Sequence, residues 1–291
     1  MKGTLWLVPN ALDLGAEPVP LEDVLPLGVI RRASGLRHWV VEDARSARAF
    51  LKRVHAVAPL LQPLQSLEII ELPRPPKGAA RRPARVTRCR AAQWAITCAS
   101  DVPAARTPCA RAREGDTAQL TASGASTPWH ELLAPALAGH DLGLLSEAGL
   151  PAVADPGAAL VAAAHAAGIT VQALPGASSL LLALAASGLD GQQFAFVGYL
   201  PQEADARAAR LRVLEARSRE LGQTQVCIET PYRNGALLAA MLAALAPTTR
   251  LAISCGLTTP AAWSRMQSIA AWRRQPPTLP DRVPAVFAWL A

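Results

Sequence analysis

The chain lacks most of the features that announce a function at a glance. Its five cysteines, Cys89, Cys98, Cys109, Cys227 and Cys255, form no even framework, no C-x-x-C pair and no Cys/His grouping with zinc spacing, so neither a disulfide scaffold nor a metal centre is expected. A cytoplasmic location is the simple inference from that cysteine usage. Aromatic residues make up only 4% of the sequence, too few for an extended base-stacking platform. No apolar run approaches the roughly 20 residues of a spanning helix, so the protein reads as soluble with no membrane partner. The opening MKGTLWLVPNALD carries one lysine before a short apolar run, yet Pro9, Asn10 and Asp13 follow with no small-residue cleavage pattern. It reads as a buried first strand, not a signal peptide. G-x-G-x-x-G and G-x-x-x-x-G-K-[ST] are both missing, which removes the usual dinucleotide and P-loop readings.

What is present begins with charge. The formal excess of +7 sits in one segment: residues 73–126 hold ten Lys/Arg against three acids, and the rest of the 291 residues are formally neutral. That segment is dominated by Arg, Ala, Pro, Thr and Cys without stable periodicity, a composition that buries too little to offset ordering entropy. It is expected to be a disordered insertion. An Arg-rich RNA-binding arm is the sharper alternative, and an out-of-frame translation of GC-rich DNA would have the same composition.

On either side, the pattern is that of an α/β protein. TLWLV, HWVVE and SLEIIEL read as strands, and DARSARAFLKRV sets Ala44, Ala47, Phe50, Leu51 and Val54 on one helical face. TPWHELLAPALAG reads as one helix, capped by Thr127, opened by Pro128 and closed by Gly139. LGLLS and ITVQAL are strands around a helix closed by Gly168, the rhythm of a parallel sheet. A second set follows: FAFVGYL, a charged helix over 203–221, TQVCIE, a helix over about 232–245, RLAISC and AVFAWLA. The expected organisation is an N-terminal α/β domain of residues 1–72 and 127–175 and a C-terminal α/β domain of 176–291.

Two loops stand out. LLSEAGLPAVADPGAAL, residues 144–160, presses Glu147, Gly149, Pro151, Asp155, Pro156 and Gly157 between a strand and a helix. In open α/β sheets ligands bind beyond the carboxyl ends of strands, where turns expose backbone N–H groups. Gly149 and Gly157 permit positive φ, while the prolines stiffen the backbone between them. Asp155 either faces a ligand or caps the following helix. LPGASSL, residues 174–180, repeats the device, with Ser178 and Ser179 at a helix start.

Taken in order, LLSEAGLPAVADPG, ALPGASSLLLALAASGL, FAFVGYLP and IETPYRN resemble the tetrapyrrole methylase-like S-adenosylmethionine-dependent methyltransferases. They are most similar to the branch that methylates a ribose 2′-oxygen of small-subunit ribosomal RNA. VVEDARSARAFLKRV resembles that branch's Glu-Asp-Thr-Arg helix start, and LVPNALDLG keeps a proline and an asparagine of its first loop. The resemblance covers residues 3–72 and 127–291. It implies two α/β domains with a cofactor cleft between them, S-adenosylmethionine as cofactor, RNA as acceptor and a homodimer. It also implies that Pro9, Ser146, Glu147, Ala148, Gly149, Pro151, Asp155, Gly157, Pro175, Gly176, Ser178 and Ser179 grip the cofactor from the first domain. Tyr199, Leu200, Thr230 and Tyr232 would close over it from the second.

Methyl transfer from a sulfonium needs donor and acceptor held in line more than it needs a nucleophilic triad or a metal. A ribose hydroxyl does need help losing its proton. Glu42, Asp43 and Glu147 at strand ends are candidates, with Arg45 able to hold a phosphate; Glu42 and Asp43 equally suit a helix start. Two readings remain beside RNA methylation: methylation of a tetrapyrrole or other small molecule in the same cleft, and a cofactor- or RNA-binding protein without turnover.

Overall fold

The structure is a computed structural model and describes residues 1–13, 18–73 and 128–291. The expectations for the Arg-rich segment beyond Pro73, for the Thr127 cap and for Cys89, Cys98 and Cys109 lie outside the described residues.

Strands β1 (Thr4–Val8), β2 (His38–Val41), β3 (Glu68–Glu71), β4 (Leu142–Leu145) and β5 (Thr170–Ala173) form one sheet in the order β3-β2-β4-β1-β5. Every pairing is parallel. All residues of β2 and β4 are buried, as expected when helices cover both faces. Helices α1 (Leu27–Ser34) and α2 (Ala44–Val57) supply Val29, Ile30, Ala47, Phe50, Leu51 and Val54 to one face. Each large side chain so buried contributes about 1.5–3 kcal/mol. Helices α3 (Pro128–Leu132), α4 (Ala134–Leu137) and α5 (Ala158–Ala166) cover the other through Leu132, Leu133, Ala136, Leu160 and Ala164.

The helix expected over 127–139 is two. Pro135 has no N–H to continue the first, so the chain breaks at Leu133 and restarts with Pro135 in the opening turn of α4. Gly139, at φ +98°, then ends the second piece.

The remaining elements are α6 (Ser179–Ala186), β6 (Phe194–Gly198), α7 (Ala204–Leu221), β7 (Thr224–Ile228), α8 (Asn234–Ala244), β8 (Arg250–Cys255), β9 (Trp263–Ser268), α9 (Ile269–Arg274) and β10 (Ala285–Leu290). Their strands form a second sheet, β6-β7-β10-β8-β9, which is mixed rather than parallel. Only β6 and β7 run together; β10 inserts antiparallel between β7 and β8, and β9 closes the edge antiparallel to β8. Helices α7, α8 and α9 bury Leu211, Leu214, Leu237, Met241 and Trp272 against Phe287, Trp289 and Ile253 on one face. On the other face α6 packs Leu180, Ala183 and Leu184 against Val226, Ala252, Val286 and Ala288. The connection from β5 to α6 therefore leads from the first sheet straight onto the second. Among the described residues no helix is long and apolar enough to cross a membrane.

Candidate functional site

In the first sheet, neighbours β1 and β4 continue in opposite directions: the chain leaves β1 for α1 and β2 on one side, and leaves β4 for α5 and β5 on the other. Such a switch point opens a crevice at the carboxyl ends of the strands. A cavity of about 400 Å³ lies there. Its first wall is the loop after β4, from Glu147 to Asp155, together with Leu12 after β1 and Ser178 to Leu180 at the start of α6. Its second wall comes from the other sheet: Tyr199 after β6, Ile228 to Pro231 after β7, Ser254 to Thr259 after β8, and Arg282 to Val286 leading into β10. Because β10 is antiparallel, its first residues meet the last residues of β7 and β8, Val286 opposite Ile228 and Ala285 opposite Cys255.

The loop after β4 is held in a strained conformation. Gly149 (φ +68°) and Gly157 (φ +128°) take positive φ as their identity allows, but so do Ala152 (φ +66°) and Ala154 (φ +65°). Left-handed geometry costs an alanine about 1–2 kcal/mol, and it persists only where surroundings over-determine it. Asn10 is one such constraint. Its side-chain amide donates to the carbonyls of Ser146 (3.2 Å) and Glu147 (2.8 Å), and its own carbonyl oxygen accepts from the N–H of Ala11 (2.9 Å). The N–H of Glu147 in turn donates to Oε2 of Glu42 at 3.1 Å.

Asp155 does not cap α5. The N-cap position belongs to Gly157 and carries no side-chain cap bond, so the carboxylate of Asp155 remains at the cavity wall. Burial first, then the charges of Glu42 and Glu147, push its pKa up to about 7. Tyr199, 52% exposed at the cavity edge, has its phenol pushed up by burial and then by Asp155 and Glu229. Acidic groups thus act on one another at the wall of an apolar hollow. Ser178 is the N-cap of α6, yet its hydroxyl makes no cap bond.

Of the residues expected from sequence, Glu147, Ala148, Gly149, Asp155, Ser178, Ser179, Tyr199 and Thr230 line the cavity. The others stand behind or beside it. Pro9 and Gly176 support each other: a Cβ at Gly176 would lie 2.3 Å from Cβ of Pro9. Ser146 is buried, and its hydroxyl has no hydrogen-bond partner among the described residues; Pro151 and Gly157 are buried in the loop. Pro175 links β5 to α6. Leu200, 4% exposed, belongs to the core beneath α7 and α8. Tyr232 is 70% exposed, with the Arg233 guanidinium 5.4 Å from its ring centre. Asp43 caps α2, its Oδ1 accepting from the N–H of Ser46 at 2.7 Å, and Arg45 is exposed on the first turn of that helix.

Sequence reasoning missed several wall residues. Glu229 is the main one: it is buried, its Oε1 accepts from the N–H of Thr230 (2.8 Å) and from Nη2 of Arg233 (2.6 Å), and it faces the cavity. The IETPYRN stretch contained that signal as a glutamate and an arginine four apart. Gly256, Leu257, Arg282 and Pro284 come from distant segments, and no local pattern marked them.

A family model for tetrapyrrole (corrin/porphyrin) methylases matches residues 84–266. The chain is 44% identical over 107 residues to the ribosomal RNA small subunit methyltransferase I of Micromonospora olivasterospora, covering 37% of this chain and 33% of that protein. It is 40% identical over 128 residues to the protein of the same name from Mesorhizobium japonicum, covering 44% and 42%. The matched stretches thus span about a third to two fifths of these relatives' length. A crystal structure of a conserved hypothetical protein from Aeropyrum pernix K1 shares the fold at TM-score 0.51 and 17% identity, over 100% of this chain and 85% of that one. With the family model matched over more than half of its length, the chain belongs to the tetrapyrrole (corrin/porphyrin) methylase family.

Proposed function

We propose that the protein is an S-adenosylmethionine-dependent methyltransferase that methylates a ribose 2′-oxygen of small-subunit ribosomal RNA. The observation that carries the reading is the crevice: a hollow of about 400 Å³, in the size range of cofactor sites, with Asp155 held at its wall. The pKa of Asp155 is raised by burial and by two neighbouring acids, and a ligand bearing a fixed positive charge would relieve that strain. The names of the two relatives support the ribosomal acceptor.

When bound, S-adenosylmethionine supplies a methyl group already activated by its positive sulfur. The work left to the chain is binding, orientation and removal of one proton. The main-chain amide of Ala148, and the hydroxyls of Ser178 and Ser179, are the donors on the first wall; Asp155 is the counter-charge. Tyr199, Thr230 and Glu229 close the second wall. Glu147 is favoured over Asp43 as the proton acceptor because it lines the hollow, whereas Asp43 accepts from Ser46. Glu42 positions Glu147 through its N–H, and Arg45 is kept as the group for an acceptor phosphate.

The domain division at about residues 175–176 is part of the proposal, supported by α6 packing with the second sheet. So are a cytoplasmic location and a homodimer. The exposed Phe194 and Phe196 on the open edge strand β6, with Leu181 and Leu182 on α6, support a self-association surface.

The test is incubation of the full chain with methyl-labelled S-adenosylmethionine and total RNA from a methylation-deficient host. Label in a 2′-O-methylated nucleoside of the small-subunit RNA is expected. Label in small molecules would move the acceptor to a tetrapyrrole-like compound, and no labelled product despite cofactor binding would leave a binding protein without turnover.

A further inference from the structure

Helix α7 has a charge pattern that its packing does not use. It leaves the edge of the crevice: its N-cap Glu203, four residues after Tyr199, accepts from the N–H groups of Asp205 and Ala206, bonds that hold its carboxyl below the usual range. Leu211, Leu214, Glu215 and Ser218 form its buried stripe. Glu215 is not surface charge, because its Oε1 accepts from the N–H of Ala246 and the hydroxyl of Thr249. Arg207 is tied back to the carbonyl of Gln202.

The exposed side carries Arg210, Arg212, Arg217 and Arg219, and none of the four has an ion partner among the described residues. At 100° per residue, Arg210 and Arg217 fall on one flank of the exposed face and Arg212 and Arg219 on the other. Within each pair, seven residues span about 10.5 Å along the axis. Between the flanks runs a crest of small or modest side chains, Ala209, Val213 and Ala216, all exposed. The acids Asp205 and Glu220 stand only at the two ends. A helix stabilised as a solvated rod would interleave acids at i+4 with these arginines; here they are missing from the middle.

We propose that α7 is the docking surface for the acceptor RNA, lying in a groove so that arginines on both flanks reach the two phosphate strands while the low crest allows close approach. The wide, shallow minor groove of A-form RNA has the required shape, and planar guanidinium groups suit phosphate oxygens. This rests on the ribosomal RNA reading above and adds to it the surface that holds the RNA.

The experiment compares the full chain with Arg210→Gln/Arg217→Gln, Arg212→Gln/Arg219→Gln and Val213→Glu, since glutamine keeps helix propensity. Binding to purified small-subunit ribosomal RNA is titrated against salt, and cofactor binding is followed by calorimetry. The expected result is cofactor affinity unchanged in all variants and RNA affinity down about tenfold or more at 0.15 M salt. For each arginine pair, the slope of log affinity against log salt should fall by roughly 1.8, about 0.9 for each duplex phosphate that is no longer neutralised. Wild-type RNA binding with unaltered affinity and slope in every variant overturns the α7 assignment alone. No RNA binding by the wild type overturns the acceptor reading and this inference with it. Loss of binding to phosphatidylserine vesicles in the variants, with RNA affinity unaltered, likewise overturns the α7 assignment alone.

Discussion

Asn10 and Gly149 exchange two main-chain hydrogen bonds, 2.9 Å from the N–H of Asn10 and 3.2 Å back from the N–H of Gly149, forming an isolated antiparallel bridge between the loops after β1 and β4. With the two side-chain bonds that Asn10 sends to Ser146 and Glu147, this bridge fixes the first wall of the crevice. Asn10→Ala keeps the bridge and removes the side-chain bonds, leaving two carbonyls short of a partner. A loss of about 1–3 kcal/mol in chemical denaturation is expected, with weaker cofactor binding by calorimetry. Asn10→Asp should do no better, because a carboxylate cannot donate to those carbonyls.

The ionisation of Asp155 has opposite signs for stability and for binding. Its folded pKa, about 7, exceeds the unfolded value of 3.8, so the native state holds more protons between them and the ligand-free protein loses stability as pH rises through that window. A cationic ligand prefers the ionised form, so its affinity should rise from pH 6 to pH 8. Asp155→Asn is expected to raise the melting temperature at pH 8, lower cofactor affinity and flatten its pH dependence. Affinity that falls with pH in the wild type would remove Asp155 as the counter-charge.

Asp43 and Glu147 are separable. Asp43→Ala should cost about 1 kcal/mol through the lost cap of α2, while Asp43→Asn, which caps equally well, should restore it. Methyl transfer by Asp43→Asn should stay near wild type. Glu147→Gln should lower transfer roughly a hundredfold, the low end for loss of a general base. A large rate defect in Asp43→Asn with intact stability would return the proton to Asp43.

Gly176→Ala tests the support beneath the crevice. The new Cβ would meet Cβ and Cγ of Pro9 at 2.3 and 2.4 Å, too close for any rotamer change to relieve. The two loops must part, at a cost of about 1–3 kcal/mol. Melting temperature and cofactor affinity should fall together.

Much of the first sheet was legible because β1, β2 and β4 are short apolar runs between turn residues, and because Ala47, Phe50, Leu51 and Val54 mark α2 by spacing alone. The second sheet was harder for a physical reason. Ser264, Arg265 and Gln267 in β9 break the apolar alternation, since an edge strand is held by backbone pairing to β8 and need not bury its side chains. The short α1, after Pro26, and α9 were not read at all. In the site, the loops at 146–157 and 175–179 declared themselves through glycine and proline. Arg282, Val283 and Pro284 did not, because only the antiparallel entry of β10 between β7 and β8 brings them to the wall.

That entry also sets an order of assembly during synthesis. Until residues 285–290 have emerged from the ribosome, β6–β7 and β8–β9 are two separate ribbons with no central strand to join them, and Phe287 and Trp289 are missing from the middle of their shared interior. The first sheet can be complete by residue 173, more than a hundred residues earlier. A nascent chain therefore carries the first sheet's side of the crevice while the following hundred or so residues are made, and acquires the opposing side in a single late event.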